Sequence, residues 1–492
     1  MKQLLALTIA LAICLSGCSG AAIPPQATEE APDSVSSFLV GFGKGDITPT
    51  EPVPLQGTAD RNRLGGGYAT YLSALCLAIT DETGETVLIM AVDTVGVNAY
   101  LEKMRQWVYT TYGIDEAHFV MHALHQHSTP SPTENTDASR RYMQMAITSM
   151  QQAVNDAMDD RAPATASIAT VETEALNFVR HYIANDPQGS LVTDNYNDHI
   201  ASSYGLKCHE TAPDNQMQLV KFQREGKAPI IAVNFQCHPH MGMGSDSAHG
   251  DWPAVMRSQV EEALGAHVIY FSGAGGNLNS HSRIEGEMEY PRDDFWAHGK
   301  KAADYVISAE NSYRSVSTGK LQVLFQTKDY AVNHKDEAQL LQAATEIHQL
   351  RQTDLAAAMA MAAEHPDISS IYHAQYIVTR SQLGDTLPLT IGALAFGDIA
   401  FTFQPYEMFD MNGAELKEGT VGNENYTPEN QLENPFAMTL VCTMSNGQEG
   451  YIPSALGYQN GGYSTDITRF ASGTGEELVA DYLHLLQQLR NP

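Results

Sequence analysis

Apolar runs of strand length alternate along the chain with longer segments in which apolar residues recur at helical spacing. The strand-like runs, which we expect to be buried, cover residues 87–95, 119–124, 230–235, 267–271, 321–325, 389–403 and 438–442. The helical segments cover residues 101–112, 140–158, 252–264, 337–364 and 476–489. This alternation predicts an α/β fold of mixed sheets with packed helices.

Two further segments stand out by composition. Residues 337–364 are rich in Ala and Met and predict either a helical hairpin or one long helix added to the core. Their methionines are interpreted as packing residues, because Met commonly fills gaps between elements. Residues 185–214 are rich in Asn, Asp, Ser and Gly and predict a long loop that could form the rim of an active site.

The N-terminus has the pattern of an export signal. Lys2 precedes an apolar run over residues 4–15, which is too short to span a bilayer stably, and a Leu-Ser-Gly-Cys sequence at 15–18 closes it. A small residue before Cys is what the lipoprotein peptidase requires, so residues 1–17 are predicted to be a lipoprotein signal peptide. Cys18 would become the acylated first residue. The alternative is an ordinary signal peptide with an incidental Cys.

Residues 18–37 are rich in Ala, Pro, Glu and Ser and predict a flexible tether between the lipid and a folded body. We therefore expect an exported protein, lipid-anchored to the bacterial cell envelope, whose residues 38–492 form the folded body. That length suits one large domain or two that pack intimately.

The net charge of −30 argues against a nucleic-acid partner, because few cations would be left to neutralise phosphates. It predicts a solvated acidic surface and does not identify a substrate. Four cysteines remain outside the leader and its processing site, namely Cys76, Cys208, Cys237 and Cys442. Their wide spacing suggests neither a disulfide framework nor a CxxC metal site, so buried free thiols are expected.

Candidate chemistry lies in two histidine clusters that each follow a strand-like run. The first contains His122, His125 and His127, and the second contains His238 and His240, with His249 further on. Since alternate residues of a strand point the same way, the His125 and His127 imidazoles can share a site from which His122 points away. Imidazole is a common zinc ligand, so the clusters predict a metal site. A two-metal hydrolase is the alternative to one metal.

These residues carry a resemblance to the catalytic domain of the neutral (non-lysosomal) ceramidases, from about Val40 onwards. The Leu-His-Gln-His-Ser-Thr-Pro run at 124–130 resembles a family motif that supplies the first zinc ligand. His-Pro at 238–239, Pro-Tyr-Glu at 405–407 and Tyr-Ile at 451–452 resemble the family motifs that supply the second, third and fourth zinc ligands. The Gly-Phe-Gly-Lys-Gly-Asp-Ile-Thr-Pro opening at 41–49 and the strand ending at Asp93 resemble further landmarks. The resemblance implies one Zn2+ with four ligands: His125, His238, Glu407 and Tyr451.

The resemblance also implies which groups would surround the scissile bond. His127, Arg180 and Tyr463 match positions that line it, where their donors would stabilise an oxyanion. Asn279 stands where the family has a serine important for activity, although Ser280 is adjacent and the alignment could slip by one. The family also continues into a β-sandwich domain, whereas this sequence ends after its last helical segment. Both departures affect parts of the protein that could contact the substrate, and they leave the four implied metal ligands unchanged.

The resemblance implies that residues 38–492 form a ceramidase-like zinc hydrolase domain. Its function would be zinc-dependent hydrolysis, by attack of zinc-bound water, of the amide bond in an N-acylated lipid such as ceramide. One alternative is a zinc hydrolase of the same fold that acts on another amide or an ester. The other is a lipoprotein that binds a metal or ligand without turning it over. The expected partners are a small-molecule or lipid amide substrate and, through Cys18, a membrane.

Overall fold

The structure is a computed structural model, and it describes residues 38–58, 63–132, 135–193, 196–335, 337–422 and 431–491. The predicted signal peptide, the tether and the acylation site Cys18 lie outside these described residues. Within the described part of the chain, no helix is both long enough and apolar enough to cross a bilayer.

Strands and helices are distributed along the whole described chain. The strands are β1 (Leu39–Asp46), β2 (Val53–Gln56), β3 (Leu64–Gly65), β4 (Ser73–Thr80), β5 (Thr86–Val92), β6 (Phe119–Ala123), β7 (Thr129–Pro130), β8 (Ala162–Glu172), β9 (Phe178–Val179), β10 (Tyr182–Ala184), β11 (Leu191–Val192), β12 (Leu206–His209), β13 (Gln216–Arg224), β14 (Ile230–Phe235), β15 (His267–Ser272), β16 (Leu278–Asn279), β17 (Arg314–Val316), β18 (Gln322–Ala331), β19 (Thr386–Phe396), β20 (Ile399–Phe403), β21 (Glu407–Met408), β22 (Met438–Cys442) and β23 (Tyr451–Ile452). The helices are α1 (Asn98–Tyr112), α2 (Asp137–Asp159), α3 (Asp198–Tyr204), α4 (Asp251–Leu264), α5 (Phe295–Ser308), α6 (Glu337–Thr353), α7 (Leu355–Glu364), α8 (Ile371–Arg380), α9 (Asp410–Glu418), α10 (Ala455–Asn460), α11 (Tyr463–Asp466) and α12 (Thr474–Arg490).

Two mixed sheets form the frame. The larger runs in the order β15-β14-β13-β8-β1-β4-β5-β6, with β17 also paired to β8, and the smaller runs β18-β19-β20-β22. The pairs β5/β6, β14/β15 and β20/β22 are parallel, whereas the other pairs of these two sheets are antiparallel. The mixed α/β class predicted from the sequence is thus confirmed.

The core is arranged in layers because strand side chains alternate between faces. Helices α1 and α2 cover one face of the β1-β4-β5-β6 part of the large sheet. The opposite face of the large sheet packs against one face of the small sheet, and α4 and α5 join this core beside β14 and β15. Helix α12 covers the outer face of the small sheet.

The glycines of the opening motif account for the close contact between α2 and β1. A Cβ built on Gly43 would lie 1.9 Å from the carbonyl oxygen of Ala153 in α2. The helix backbone therefore rests directly on the strand backbone, a distance that no other residue type would permit.

Several sequence predictions change in detail. The 389–403 run is two antiparallel strands, β19 and β20, and the 337–364 segment is two helices followed by α8. The predicted loop 185–214 contains β11, α3 and β12, since its polar composition concealed short elements. Cys76, Cys237 and Cys442 are buried free thiols as expected, but Cys208 is exposed, so that expectation was wrong for this residue.

Candidate metal centre

The candidate site lies where three strands of the frame end. His125 and His127 follow β6, His238 follows β14, and Glu407 follows β20 by way of a short connection. The sheets are tied together here, because Thr443 N, just past β22, donates to Ser272 O at the end of β15 over 3.1 Å. Each of these three strands is paired in parallel with a neighbour, β6 with β5, β14 with β15 and β20 with β22.

His125 is held by its backbone as well as its ring. It has a φ of 64°, in the left-handed region, and its Nδ1 donates to Val95 O over 2.8 Å. A non-glycine residue in this conformation is uncommon and concentrates at functional sites. With Nδ1 engaged, Nε2 is directed at the carboxylate of Glu407, 3.4 Å from Oε2.

His238 is mounted in the same manner. Its Nδ1 donates to Gly275 O over 2.9 Å, and its Nε2 lies 3.2 Å from Glu407 Oε2. A backbone carbonyl that accepts from one ring nitrogen fixes the tautomer and leaves the other nitrogen's lone pair free to bind a metal. His125 and His238 therefore both present Nε2 to a single point beside Glu407.

Glu407 and Tyr451 are paired by a very short parallel ladder. Strands β21 and β23 each have two residues, and Glu407 is in register with Tyr451. Residues in register in neighbouring strands project to the same face. Both side chains are buried, with exposed fractions of 8% for Glu407 and 7% for Tyr451.

His127 also faces this point. Its Nδ1 donates to Gly57 O over 2.7 Å, which leaves Nε2 buried and without a hydrogen-bond partner in the described chain. One nitrogen from each of His125, His127 and His238 lies within 4.8 Å of the others, a spacing that could hold a metal ion. The geometry thus permits His127 as a ligand, whereas the resemblance assigns it to the substrate, and both descriptions share His125 and His238.

Two buried polar atoms without hydrogen-bond partners indicate that the side chains of His238 and Glu407 could bind a cation. His238 Nε2 and Glu407 Oε2 are each buried with no hydrogen-bond partner among the described residues, despite their separation of only 3.2 Å. A buried polar atom without a partner costs free energy unless something binds it. Imidazole nitrogens and a carboxylate oxygen are ordinary zinc ligands, so a cation between them would satisfy this need.

Charges and burial shift the pKa values of these groups in opposite directions. Burial favours a raised pKa for Glu407, but the neighbouring His125 and His238 outweigh it and hold this pKa well below its usual range. Burial favours a lowered pKa for His125, but the Glu407 charge outweighs it and leaves the pKa raised. Burial lowers the pKa of His238, and it lowers that of His127 strongly, aided by the charges of the other two histidines.

Arg180 and Tyr463 lie beside Tyr451. The Arg180 guanidinium carbon is 5.3 Å from the ring centre of Tyr451 and 5.9 Å from that of Tyr463, within the range of cation–π contacts. Arg180 Nη2 donates to Gly276 O over 2.6 Å and to Ser464 Oγ over 2.9 Å. Burial raises the pKa of Tyr451 well above its usual range, although the Arg180 charge opposes this.

The loop after β15, which contains Gly273, Gly275 and Gly276, places Asn279 beside the candidate metal ligand His238. Asn279 forms an isolated parallel bridge with His238, and its side chain is fully buried. Strand β16, which contains Asn279, pairs with β9, and this pairing also brings Arg180 to the site. Ser280, the alternative to Asn279, is buried as well, and its Oγ has no hydrogen-bond partner in the described residues.

His122, as predicted, points away from the site. Its Nδ1 lies 3.1 Å from Ser445 Oγ, and its Nε2 accepts from Ser272 N over 2.9 Å. The second cluster's His240 is buried, with its ring centre 5.3 Å from that of His238 and 5.7 Å from that of His127.

A buried ion pair beneath the first cluster was not selected as functional from the sequence. Arg257 donates twice to Asp93, over 3.0 and 2.6 Å, and Gln126 Nε2 donates to the same carboxylate over 2.6 Å. Gln126 lies between His125 and His127, so this network fixes the backbone from which both imidazoles project. The sequence feature that could have indicated this network is Asp93 itself, a charged residue at the end of an apolar strand.

The fold and site together define an α/β protein with buried imidazoles spaced to hold a metal ion. Two solved structures that share this fold are ceramidases. One is a ceramidase complexed with C2, with a TM-score of 0.65 and 14% sequence identity over 92% of this chain and 75% of that one. Another is the neutral ceramidase from Pseudomonas aeruginosa, with a TM-score of 0.62 and 15% identity over 93% of this chain and 74% of that one.

The chain therefore has the neutral ceramidase fold that the sequence resemblance implied. No model of a known protein family matches it, and no curated protein does either.

Proposed function

We propose that this protein is a zinc-dependent hydrolase that cleaves the amide bond of an N-acylated lipid such as ceramide. The observation that carries the proposal is the group of buried, unsatisfied atoms on His238 and Glu407, joined by His125 and His127. The ceramidase fold supports the reaction class, because both similar structures named above are ceramidases.

His125, His238, Glu407 and Tyr451 are the residues proposed to hold the ion. Two nitrogen and two oxygen donors make a set that suits zinc. When bound, zinc supplies Lewis acidity, which lowers the pKa of a water molecule and polarises a carbonyl group. The protein's part is to hold the ligands still, through the carbonyl groups of Val95 and Gly275.

Three further side chains are proposed to act on the substrate. Arg180 and Tyr463 would donate hydrogen bonds to the oxygen that becomes negative as the amide carbon turns tetrahedral. Arg180 is buried and anchored by Gly276 O, so it is organised before substrate binds. His127, whose burial lowers its pKa well below the usual value, would be neutral and able to accept a proton at Nε2 before passing it to the leaving amine.

The test is a hydrolysis assay on the purified full chain, stripped of metal by a chelator and then supplied with zinc. A panel of N-acyl amides that includes ceramide is followed by mass spectrometry for release of fatty acid. We expect release that depends on zinc and is lost in His238→Gln and Glu407→Gln. His118→Gln, which changes a histidine outside the site, is the matched control and should retain activity.

Fatty acid release that is unchanged by chelation would overturn the zinc dependence. Zinc-dependent cleavage of other amides or of esters, with ceramide untouched, would assign the same site to another substrate. Zinc binding without turnover of any member of the panel would instead favour a metal-binding lipoprotein.

We also propose that the protein is exported and acylated at Cys18, on the strength of the Leu-Ser-Gly-Cys sequence at 15–18. Mass spectrometry of the mature N-terminus from a bacterial host should find a diacylglyceryl group on Cys18. Cys18→Ala should abolish that modification and leave the chain unprocessed. An unmodified Cys18 within a cleaved chain would contradict the proposal.

A further inference from the structure

Exposed hydrophobic side chains concentrate in one region of the described surface. Of the eight large hydrophobic residues that are exposed there, five belong to three segments around the loop that carries His127. We call these five the aromatic patch: Leu64, Tyr68, Tyr71, Met243 and Trp296. Concentrations of this kind mark surfaces that bind something.

Three of the five patch residues share one cavity, and the other two lie in segments bonded beside it. The rings of Tyr68 and Tyr71 have centres 5.1 Å apart, and with Trp296 they line one cavity of about 290 Å³. The segment that carries Leu64 and Tyr68 runs beside residues 245–248, since Gly66 N donates to Asp246 O and Ala69 N to Ala248 O. Met243 lies in the turn just before residues 245–248.

One segment of the patch is hydrogen-bonded to the loop that carries His127. Arg63, next to Leu64, donates to His127 O over 3.2 Å and to Ser128 Oγ over 3.1 Å, and it also holds Ser245 O. His127 itself is anchored on Gly57, which precedes the same segment. The segment that carries Leu64 and Tyr68 is therefore connected to the loop that carries His127.

The chemistry of the patch favours a lipid surface over other occupants. Tyr and Trp combine an apolar ring with a polar group and are enriched where a bilayer meets water. The cations beside them are paired, Lys44 with Glu261 at 3.8 Å and Arg257 with Asp93 at 2.6 Å, so the patch has no excess positive charge. A chain with a net charge of −30 would be repelled by an anionic membrane, which leaves a zwitterionic one as the complementary partner.

We propose that the aromatic patch docks the protein on a zwitterionic phospholipid bilayer and so presents the metal centre to lipids in that bilayer. The proposal deepens the proposed function, because an N-acylated lipid resides in a membrane. Docking through the patch is distinct from anchoring through Cys18, since it sets the orientation of the folded body.

Trp296 offers a local readout. It is 53% exposed, whereas Trp252 is fully buried and Trp107, the remaining tryptophan, is half-buried. The full chain is mixed with phosphatidylcholine vesicles whose acyl chains carry bromine, which quenches tryptophan on contact. We expect quenching that Trp296→Phe removes, and a loss of vesicle affinity on the order of tenfold in the Tyr68→Ser/Tyr71→Ser double variant.

Tyr109→Ser/Tyr204→Ser is the matched control, because it removes two exposed tyrosines outside the patch, and it should bind and quench as the wild type does. Absence of Trp296 quenching, or equal quenching in both double variants, would overturn the proposal, since an anchor at Cys18 alone would not bring Trp296 into the lipid. A dimer that only the patch variant dissociates, with no quenching, would assign the surface to a second copy of the chain.

An activity assay separates this proposal from the proposed function. The patch variant should hydrolyse a soluble short-chain N-acyl amide at the wild-type rate but a vesicle-embedded one more slowly. Quenching by a protein that hydrolyses neither would retain the docking surface and reject the hydrolase. Equal loss on both substrates would reject the docking role.

Discussion

His238 Nε2 lies 3.2 Å from Glu407 Oε2, yet neither atom has a hydrogen-bond partner among the described residues. The same carboxylate oxygen lies 3.4 Å from His125 Nε2. Three possible metal-ligand atoms therefore lie close together, and His127 is held near them by its hydrogen bond to Gly57. Substitutions of Glu407 and of His127 test which of these two residues binds the metal.

We predict that Glu407→Gln weakens zinc binding by more than about 100-fold, since it removes the charged ligand, while His127→Gln weakens it by about tenfold or less. Competition with a chromophoric chelator measures both affinities. A larger loss in His127→Gln than in Glu407→Gln would instead identify the three-histidine group as the ligand set.

Gly276 provides a second test of the metal site, because its backbone packs against the backbone of Glu407. A Cβ built on Gly276 would lie 2.6 Å from Glu407 O and 2.9 Å from Met408 O, both backbone atoms that cannot turn away. Gly276→Ala is therefore expected to displace Glu407 and to lower both zinc affinity and turnover. Gly384→Ala, where a Cβ meets nothing within 4 Å, is the control and should leave both unchanged. Wild-type zinc affinity in Gly276→Ala would contradict this account.

The sequence predicted the positions of the histidines better than it predicted their geometry. Strand alternation brought His125 and His127 to one site, but β6 ends at Ala123 and His125 has a left-handed backbone. The two imidazoles converge through a turn held by Val95 and Gly57, and hydrophobic periodicity cannot indicate such a turn.

Glu407 and Tyr451 could be predicted as site residues only from the family resemblance. They meet through strands of two residues each, β21 and β23, which are too short to leave a hydrophobic pattern. The large strands, by contrast, were recognisable because they are buried along their whole length and mostly apolar, as in β5 and β14.

The ion pair of Arg257 with Asp93 is expected to stabilise the site from beneath. Arg257→Met would leave the Asp93 carboxylate buried without its partner, a change that typically costs about 3–5 kcal/mol of unfolding free energy. Denaturant unfolding measures this cost. Arg141→Met removes a two-bond pair with Glu51 on the exposed surface, and it should have a far smaller effect because water replaces the lost partner. Equal effects of the two substitutions would show that burial of the Asp93 pair does not matter.

Glu415 should make stability depend on pH near neutrality. Burial raises its pKa from 4.5 to about 7, and the charges of Glu476 and Glu418 add to this shift. The folded protein therefore keeps this proton to a higher pH than the unfolded chain does. The resulting contribution to stability is complete below pH 4.5 and is lost as the pH rises through about 7.

Glu415→Gln removes that ionisation while retaining an oxygen that can accept from Gly422 N. The variant should gain stability relative to the wild type between about pH 5 and about pH 8, as measured by denaturant unfolding at both values. The difference arises because only the wild type must hold a buried charge at the higher pH. A wild type and a variant that change in parallel across this range would show that Glu415 titrates at its ordinary pKa in the folded protein.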